Sequence, residues 1–156
     1  MSVNRAELVN YTNKILAIEK FRDYCPNGLQ VEGAQQVRRL VTGVTASQAL
    51  VDAAVAAGAQ MLLVHHGYFW KGEGPTITGI KQRRLKTLLT HDLNLLAYHL
   101  PLDVHGEVGN NVQLARLMGW SVLGGLEPGN PRSVGLHGEL ADAVDGATLA
   151  GQLANA

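Results

Sequence analysis

Two short stretches of the chain carry side chains that can do chemistry together. His65-His66-Gly67 follows the apolar run Met61-Leu62-Leu63-Val64, and His99-Leu100-Pro101-Leu102-Asp103 follows a second apolar run from Leu93 to Tyr98. Imidazole with carboxylate suits zinc, iron, nickel or manganese, and a carboxylate such as Asp103 can bridge two ions about 3.5–4 Å apart. Adjacent histidines on a continuing strand point to opposite faces. At a strand end that opens into Gly67 they can splay. Each could then reach a different ion in one cleft, or one could ligate while its neighbour orients. Pro101, between His99 and Asp103, predicts a loop there rather than an i, i+4 helical pair.

Side chains so far apart in sequence need a sheet to gather them, and in an open parallel sheet ligands bind beyond the carboxyl ends of the strands. The pattern Leu8, Val9, Thr12, Ile15, Leu16, Glu19 predicts an amphipathic first helix with Ser2 or Asn4 as its N-cap. Asp23 to Gly28 is turn chemistry, and Leu29 to Val31 suits a short strand. A buried strand is expected over Arg39–Val44, then a helix over Gln48–Ala57, opened by Thr45 or Ser47 and ended by Gly58. Further helices are expected over Lys81–His91 and Gly109–Met118, with strands at Leu93–Tyr98, Trp120–Leu123 and Ser133–Leu140. An Ala/Leu-rich helix runs from Gly146 to Ala156 and ends without a cap. This alternation implies an α/β fold, with a mostly parallel or mixed sheet covered by helices on both faces. Residues 1–126 are expected to form an N-terminal metal-binding lobe, and residues 127–156 the beginning of a second, truncated lobe.

Composition narrows the function. Apolar residues make up 46% of the 156, and charged residues 17%, against roughly a quarter in an average domain. Thirteen basic and thirteen acidic residues cancel, which argues against a general affinity for nucleic acid or for an anionic membrane. So little surface charge opposes self-association weakly, and an oligomer is expected. Cys25 is the single cysteine and cannot form an internal disulfide. The first residues contain no apolar signal-like segment, and no apolar run approaches the ~18 residues of a membrane span. A cytoplasmic protein is expected. There is no G-x-x-x-x-G-K-[ST] phosphate loop and no G-x-S-x-G elbow.

The glycine-rich stretch from Gly67 to Gly79 reads as a loop at the site, with Lys71 and Glu73 within it either part of a flexible lid over the cleft or simply solvated. Loop exposure is the expectation for His105 and Glu107, helix capping for Asn110-Asn111, and a solvated face for Arg83, Arg84 and Lys86. Cys25, without a neighbour that lowers its pKa, reads as a small packed thiol.

Four blocks together carry a family resemblance. They are Asp23-Tyr24-Cys25-Pro26-Asn27-Gly28-Leu29-Gln30-Val31-Glu32-Gly33, Val41-Thr42-Gly43-Val44-Thr45-Ala46-Ser47, Val64-His65-His66-Gly67-Tyr68-Phe69-Trp70-Lys71-Gly72-Glu73, and His99-Leu100-Pro101-Leu102-Asp103 with Gly109-Asn110-Asn111. In this order they resemble the YbgI family, the bacterial branch of the dinuclear-metal proteins labelled GTP cyclohydrolase I type 2 homologues. The resemblance implies a cytoplasmic toroidal homohexamer, two divalent ions per complete subunit, and hydrolysis of a nucleotide-like substrate. It also implies that His65, His66 and Asp103 ligate metal. His99 matches a site histidine that is ligand, orienting partner or catalytic proton carrier. The family's late His-x-x-x-Glu pair has no counterpart here, since neither His105 nor His137 is followed by Glu four residues on. A metal-binding scaffold without turnover is the alternative expectation.

Overall fold

The strands that carry the histidines are apolar on both faces because helices flank their sheet. A computed structural model describes residues 1–155. Within the first hundred residues the order is β1 (Val3–Asn4), α1 (Arg5–Ile15), β2 (Gly28–Val31), β3 (Gln36–Val37), β4 (Leu40–Thr45), α2 (Gln48–Ala56), β5 (Met61–His66), α3 (Gly79–Thr90) and β6 (Asn94–Ala97). The main sheet has the order β2-β6-β5-β4. β4, β5 and β6 run parallel, and β2 lies antiparallel on the edge of β6. The sheet is therefore mixed, and the α/β expectation holds. β1 and β3 form a separate small antiparallel pair.

Local chemistry explains the helix boundaries. Asn4 accepts the Ala6 amide at 2.8 Å and opens α1, while Ser47 accepts the Leu50 amide at 3.2 Å and opens α2. Gly58 follows α2 in the left-handed region at φ 67°, the conformation that glycine adopts without a Cβ penalty. Val51, Leu62, Val64, Leu88 and Leu95 are fully buried between α2, α3 and the sheet, and burying each such side chain contributes about 1.5–3 kcal/mol. Asn94, a fully buried polar side chain, is satisfied. It accepts from Gly33 N at 2.8 Å and donates to Gln60 O at 2.7 Å and Ala34 O at 2.9 Å.

The register sets the site. Val64 stands opposite Ala97, and Thr45 opposite His66. The three parallel strands thus end nearly level, and the residues that follow them are delivered to one sheet edge. β5 continues through His66 rather than stopping before His65.

After β6 come α4 (Leu100–Asp103), α5 (Asn110–Leu117), β7 (Ser121–Gly125), β8 (Leu136–Glu139) and α6 (Gly146–Ala154). The segment from His99 to Asp103, expected as a loop, contains the short helix α4. Pro101 is tolerated because the first turn of a helix does not use its amide donors. The chain divides into compact units at Pro101/Leu102, earlier than the boundary expected at 126. The physical reason is that β7 pairs antiparallel with β8, which ties together the residues on either side of position 126. α6 is capped at both ends, contrary to expectation: Asp145 accepts the Thr148 amide at 2.9 Å, and Asn155 donates to Gly151 O at 2.8 Å. Ala156, the last residue expected in this helix, lies outside the described residues. Among the described residues, no helix is long and apolar enough to cross a membrane.

Candidate metal centre

His65 and His66 end β5, and His99 lies two residues beyond the end of β6. Ring centroids lie 4.3 Å apart for His65 and His66, 5.1 Å for His65 and His99, and 5.8 Å for His66 and His99. One ring nitrogen from each falls within 4.8 Å of the others, a spacing that a single ion can draw together with small rotamer changes. The strand alternation that should separate His65 from His66 is relaxed at the strand end, where Gly67 follows. A Cβ at Gly67 would overlap Gln30 Oε1 and Ala97 Cβ, so the chain can leave the sheet along this path only with glycine.

Each imidazole is held through Nδ1. His65 Nδ1 is 3.0 Å from the Tyr98 carbonyl oxygen, which as a pure acceptor requires the Nδ1–H tautomer. His66 Nδ1 is 3.2 Å from Thr45 Oγ1, and His99 Nδ1 is 2.8 Å from Asp23 Oδ1. A tautomer that donates from Nδ1 carries its lone pair on Nε2, the form in which neutral imidazole ligates metal. The donor set therefore fits a borderline divalent cation such as zinc, nickel, iron or manganese.

Asp23 is the residue that sequence reasoning missed. Its side chain is only 2% exposed and accepts four hydrogen bonds: from Tyr24 N at 2.6 Å, Asn27 Nδ2 at 2.9 Å, His99 Nδ1 at 2.8 Å and Leu100 N at 2.9 Å. Burial acts to raise the Asp23 pKa, but the donors from Asn27, His99, Leu100 and Tyr24 together outweigh it and hold the carboxyl below its ordinary value. Asn27 also accepts the His99 amide through Oδ1 at 2.7 Å. The turn 23–27 thus grips His99 by backbone and ring at once. The available signal was the Asp-x-x-x-Asn spacing around Cys25-Pro26, two polar side chains of one tight turn facing the same neighbour.

Asp23, Cys25 and His99 form a second close group, but its chemistry is poor for a cation. Burial, reinforced by the charge of Asp23, pushes the Cys25 thiol up to about 11, so near neutral pH it stays protonated, and the thiolate is the metal-binding form. Cys25 is buried and packed, as expected.

Asp103 ends α4, and its Oδ1 accepts Asn110 Nδ2 at 2.8 Å. Asn110 and Asn111, expected as caps of α5, do not cap it: Gly109 holds the N-cap position without a side-chain bond. Asn110 orients Asp103 instead, and Asn111 donates to Val134 O. His105 Nδ1 accepts the Glu107 and Val108 amides at 3.2 Å and so closes its own loop. Glu73 is not simply solvated, because its Oε2 accepts Trp70 N at 3.1 Å and its Oε1 lies 3.4 Å from Lys81 Nζ. Trp70, also unremarked in the sequence reading, sets its indole 4.9 Å from the His99 ring at 82°.

Comparison with known proteins decides the ancestry. The model of the family described as Duf34/NIF3 (NGG1p interacting factor 3) matches residues 3–156. The chain belongs to the Duf34/NIF3 family. Relatives within it include a "GTP cyclohydrolase 1 type 2 homolog" of Pseudomonas aeruginosa, 63% identical over 150 residues, or 96% of this chain and 60% of that protein. A protein of the same name from Vibrio cholerae is 53% identical over 156 residues, covering 98% of this chain and 62% of that one. Among solved structures, a protein described as "ybgI, unknown function" superposes with a TM-score of 0.92 at 52% identity, over 98% of this chain and 60% of that one. A Thermus thermophilus protein gives a TM-score of 0.75 at 44% identity, over 80% of this chain and 52% of its own. The chain thus spans about three fifths of the length of these Duf34/NIF3 relatives.

Proposed function

We propose that this protein is a divalent-metal-binding hydrolase acting on a nucleotide-like substrate, with His65, His66 and Asp103 as metal ligands. The observation that carries the reading is the convergence of three Nδ1-anchored imidazoles at one sheet edge. His65 and His99 are held in a single tautomer by a main-chain carbonyl and a carboxylate, and His66 is oriented by the Thr45 hydroxyl, which is what a metal site needs and what a solvated strand cap does not. A divalent ion held there supplies Lewis acidity and a nucleophile near neutral pH. Within the chain, Tyr98 O and Thr45 orient the two strand-end rings, Asn110 orients Asp103, and Asp23 fixes the ring of His99. His99 either joins the ligand set or carries a proton between site and substrate. The nucleotide-like substrate follows from the name borne by the relatives. Assembly into a ring of six and a second ion per complete subunit extend the same reading, as does residence in the cytoplasm.

A metal-binding scaffold without turnover is the second reading. It is favoured by the engagement of Asp23, which with four donors around it has little capacity left as a general base. Elemental analysis of protein purified without added metal, followed by a hydrolysis screen of nucleotides with metal-stripped protein alongside, separates the two. Metal-dependent turnover that His65→Ala abolishes supports the hydrolase. Bound metal without turnover supports the scaffold, and absence of bound metal overturns both.

A further inference from the structure

The loop between β5 and α3 is bent at a bulky residue. Phe69 takes φ 65°, a left-handed conformation that is strained for a residue with a Cβ. Such strain persists only where the surroundings over-determine it, and it gathers at ligand clamps. Here the surroundings are a closed set of bonds around the next residue. Trp70 N donates to Glu73 Oε2 at 3.1 Å, and Glu73 N donates to Trp70 O at 2.9 Å. Lys71 N donates to Tyr24 O at 2.6 Å, which ties the loop to the turn that grips His99. The Glu73 carboxylate also pairs with Lys81, whose ammonium sits 5.4 Å from the Phe69 ring centre.

This bend brings the indole of Trp70 beside the histidines. Its ring centre lies 4.9 Å from that of His99 and 6.0 Å from that of His66. The indole N–H is engaged by Gly67 O at 3.2 Å, which fixes the ring plane and leaves no polar atom on the side chain to offer a ligand. The ring is nevertheless partly exposed. With its N–H engaged, the side chain has only aromatic carbon surface to offer beside the histidines.

We propose that Trp70 is a specificity-determining residue that holds a planar heteroaromatic ring of the substrate against its indole beside the histidine cluster. The proposal rests on the reading of that cluster as a metal-dependent substrate site. Stacking on an aromatic side chain is sequence-tolerant because every nucleobase has a π face. Trp70 therefore selects flat rings as a class, and the base is not identified by the wall alone.

Binding of GTP and of tripolyphosphate, which lacks a ring, is measured by calorimetry on the zinc-loaded and the zinc-stripped chain. Trp70→Ala is expected to weaken GTP about tenfold or more, and Trp70→Phe, which keeps a π face, by only about threefold. Tripolyphosphate affinity and zinc content are expected to stay level in both variants. The proposal is overturned if Trp70→Ala binds GTP as the unaltered chain does, or if tripolyphosphate binding falls in parallel, which marks a structural role. It is also overturned if the unaltered chain holds tripolyphosphate as tightly as GTP. Failure of the metal reading is seen separately, as zinc retained by His65→Ala, whatever Trp70 does.

Discussion

The ring of His99 and the carboxylate of Asp23 meet at 2.8 Å across 76 positions of sequence, with the carboxylate all but excluded from solvent. The same carboxylate accepts the Leu100 amide at 2.9 Å, so one side chain sets both the backbone course after β6 and the ring orientation of the site histidine. Partners that orient ligating histidines in this way typically carry about 10–100-fold of metal affinity.

Asp23→Asn keeps the shape of the side chain and removes the charge. Metal affinity is expected to fall about 10–100-fold, as for other partners of ligating histidines. The acid limb of the stability curve should change as well. Asp23 ionises below its ordinary value in the folded chain, so its contribution is complete above the unfolded value of about 3.9 and is lost as pH falls through the folded one. Acid titration of the metal-free variant by circular dichroism should therefore show a shallower decline. An unchanged acid limb together with unchanged metal affinity would remove Asp23 from the site.

His65→Ala and Asp103→Ala are expected to weaken metal binding while leaving the metal-free thermal midpoint level or raised, because site residues are commonly held at some expense of stability. Calorimetric unfolding of the metal-free variants checks this. A loss of more than about 2 kcal/mol would class either residue with core deletions rather than with ligands. Asn110→Ala should reproduce a smaller part of the Asp103→Ala loss, through the 2.8 Å hydrogen bond between them.

Gly67→Ala tests the exit from β5. The added methyl would overlap Gln30 Oε1 and the Ala97 methyl, and the latter belongs to a central strand that has little freedom to retreat. Overpacking of this sort costs about 1–3 kcal/mol. Urea unfolding should show a lower midpoint with unchanged slope, and a midpoint equal to that of the unaltered chain would mean that the loop relocates freely.

Cys25 gives an alkaline readout. Its thiol titrates at about 11 in the folded chain and near 8.5 when unfolded. The folded state holds the proton more tightly, so this contribution is full below about 8.5 and lost as pH climbs from there through the folded value. Iodoacetamide at mildly alkaline pH should label the unfolded chain promptly and the folded chain slowly. Equal rates would contradict the packed-thiol description.

The parallel strands and the helices between them were legible because their signals are local. The apolar runs at Leu40–Thr45 and Met61–His66, the cap at Ser47 and the left-handed Gly58 each depend on neighbours within a few positions. The antiparallel direction of β2 was not legible. Four residues carry no directional signal, and the pairing with β6 is settled by packing more than sixty positions away. His65, His66 and His99 were visible as residue types at strand ends. Asp23 was hidden because a carboxylate in a turn looks like solvation until the partner that buries it arrives. Trp70 was hidden because its placement depends on the positive φ of Phe69, which no propensity anticipates. α4 is not legible because Pro101 reads locally as a breaker, although the first turn accommodates it.

One restraint on the cluster differs in kind from the rest. His65 is oriented by the main-chain oxygen of Tyr98, while the Tyr98 ring lies buried and donates to Asn13 Oδ1 at 2.8 Å. A peptide carbonyl is present whatever amino acid is encoded there, so point mutation at codon 98 leaves this acceptor in place. Only a frame change in the pairing of β5 with β6, by insertion or deletion of a residue, moves it. Over evolutionary time the orientation of His65 is therefore inherited through strand length rather than through residue identity, and variation among relatives at position 98 should track the partners of the ring rather than the histidine.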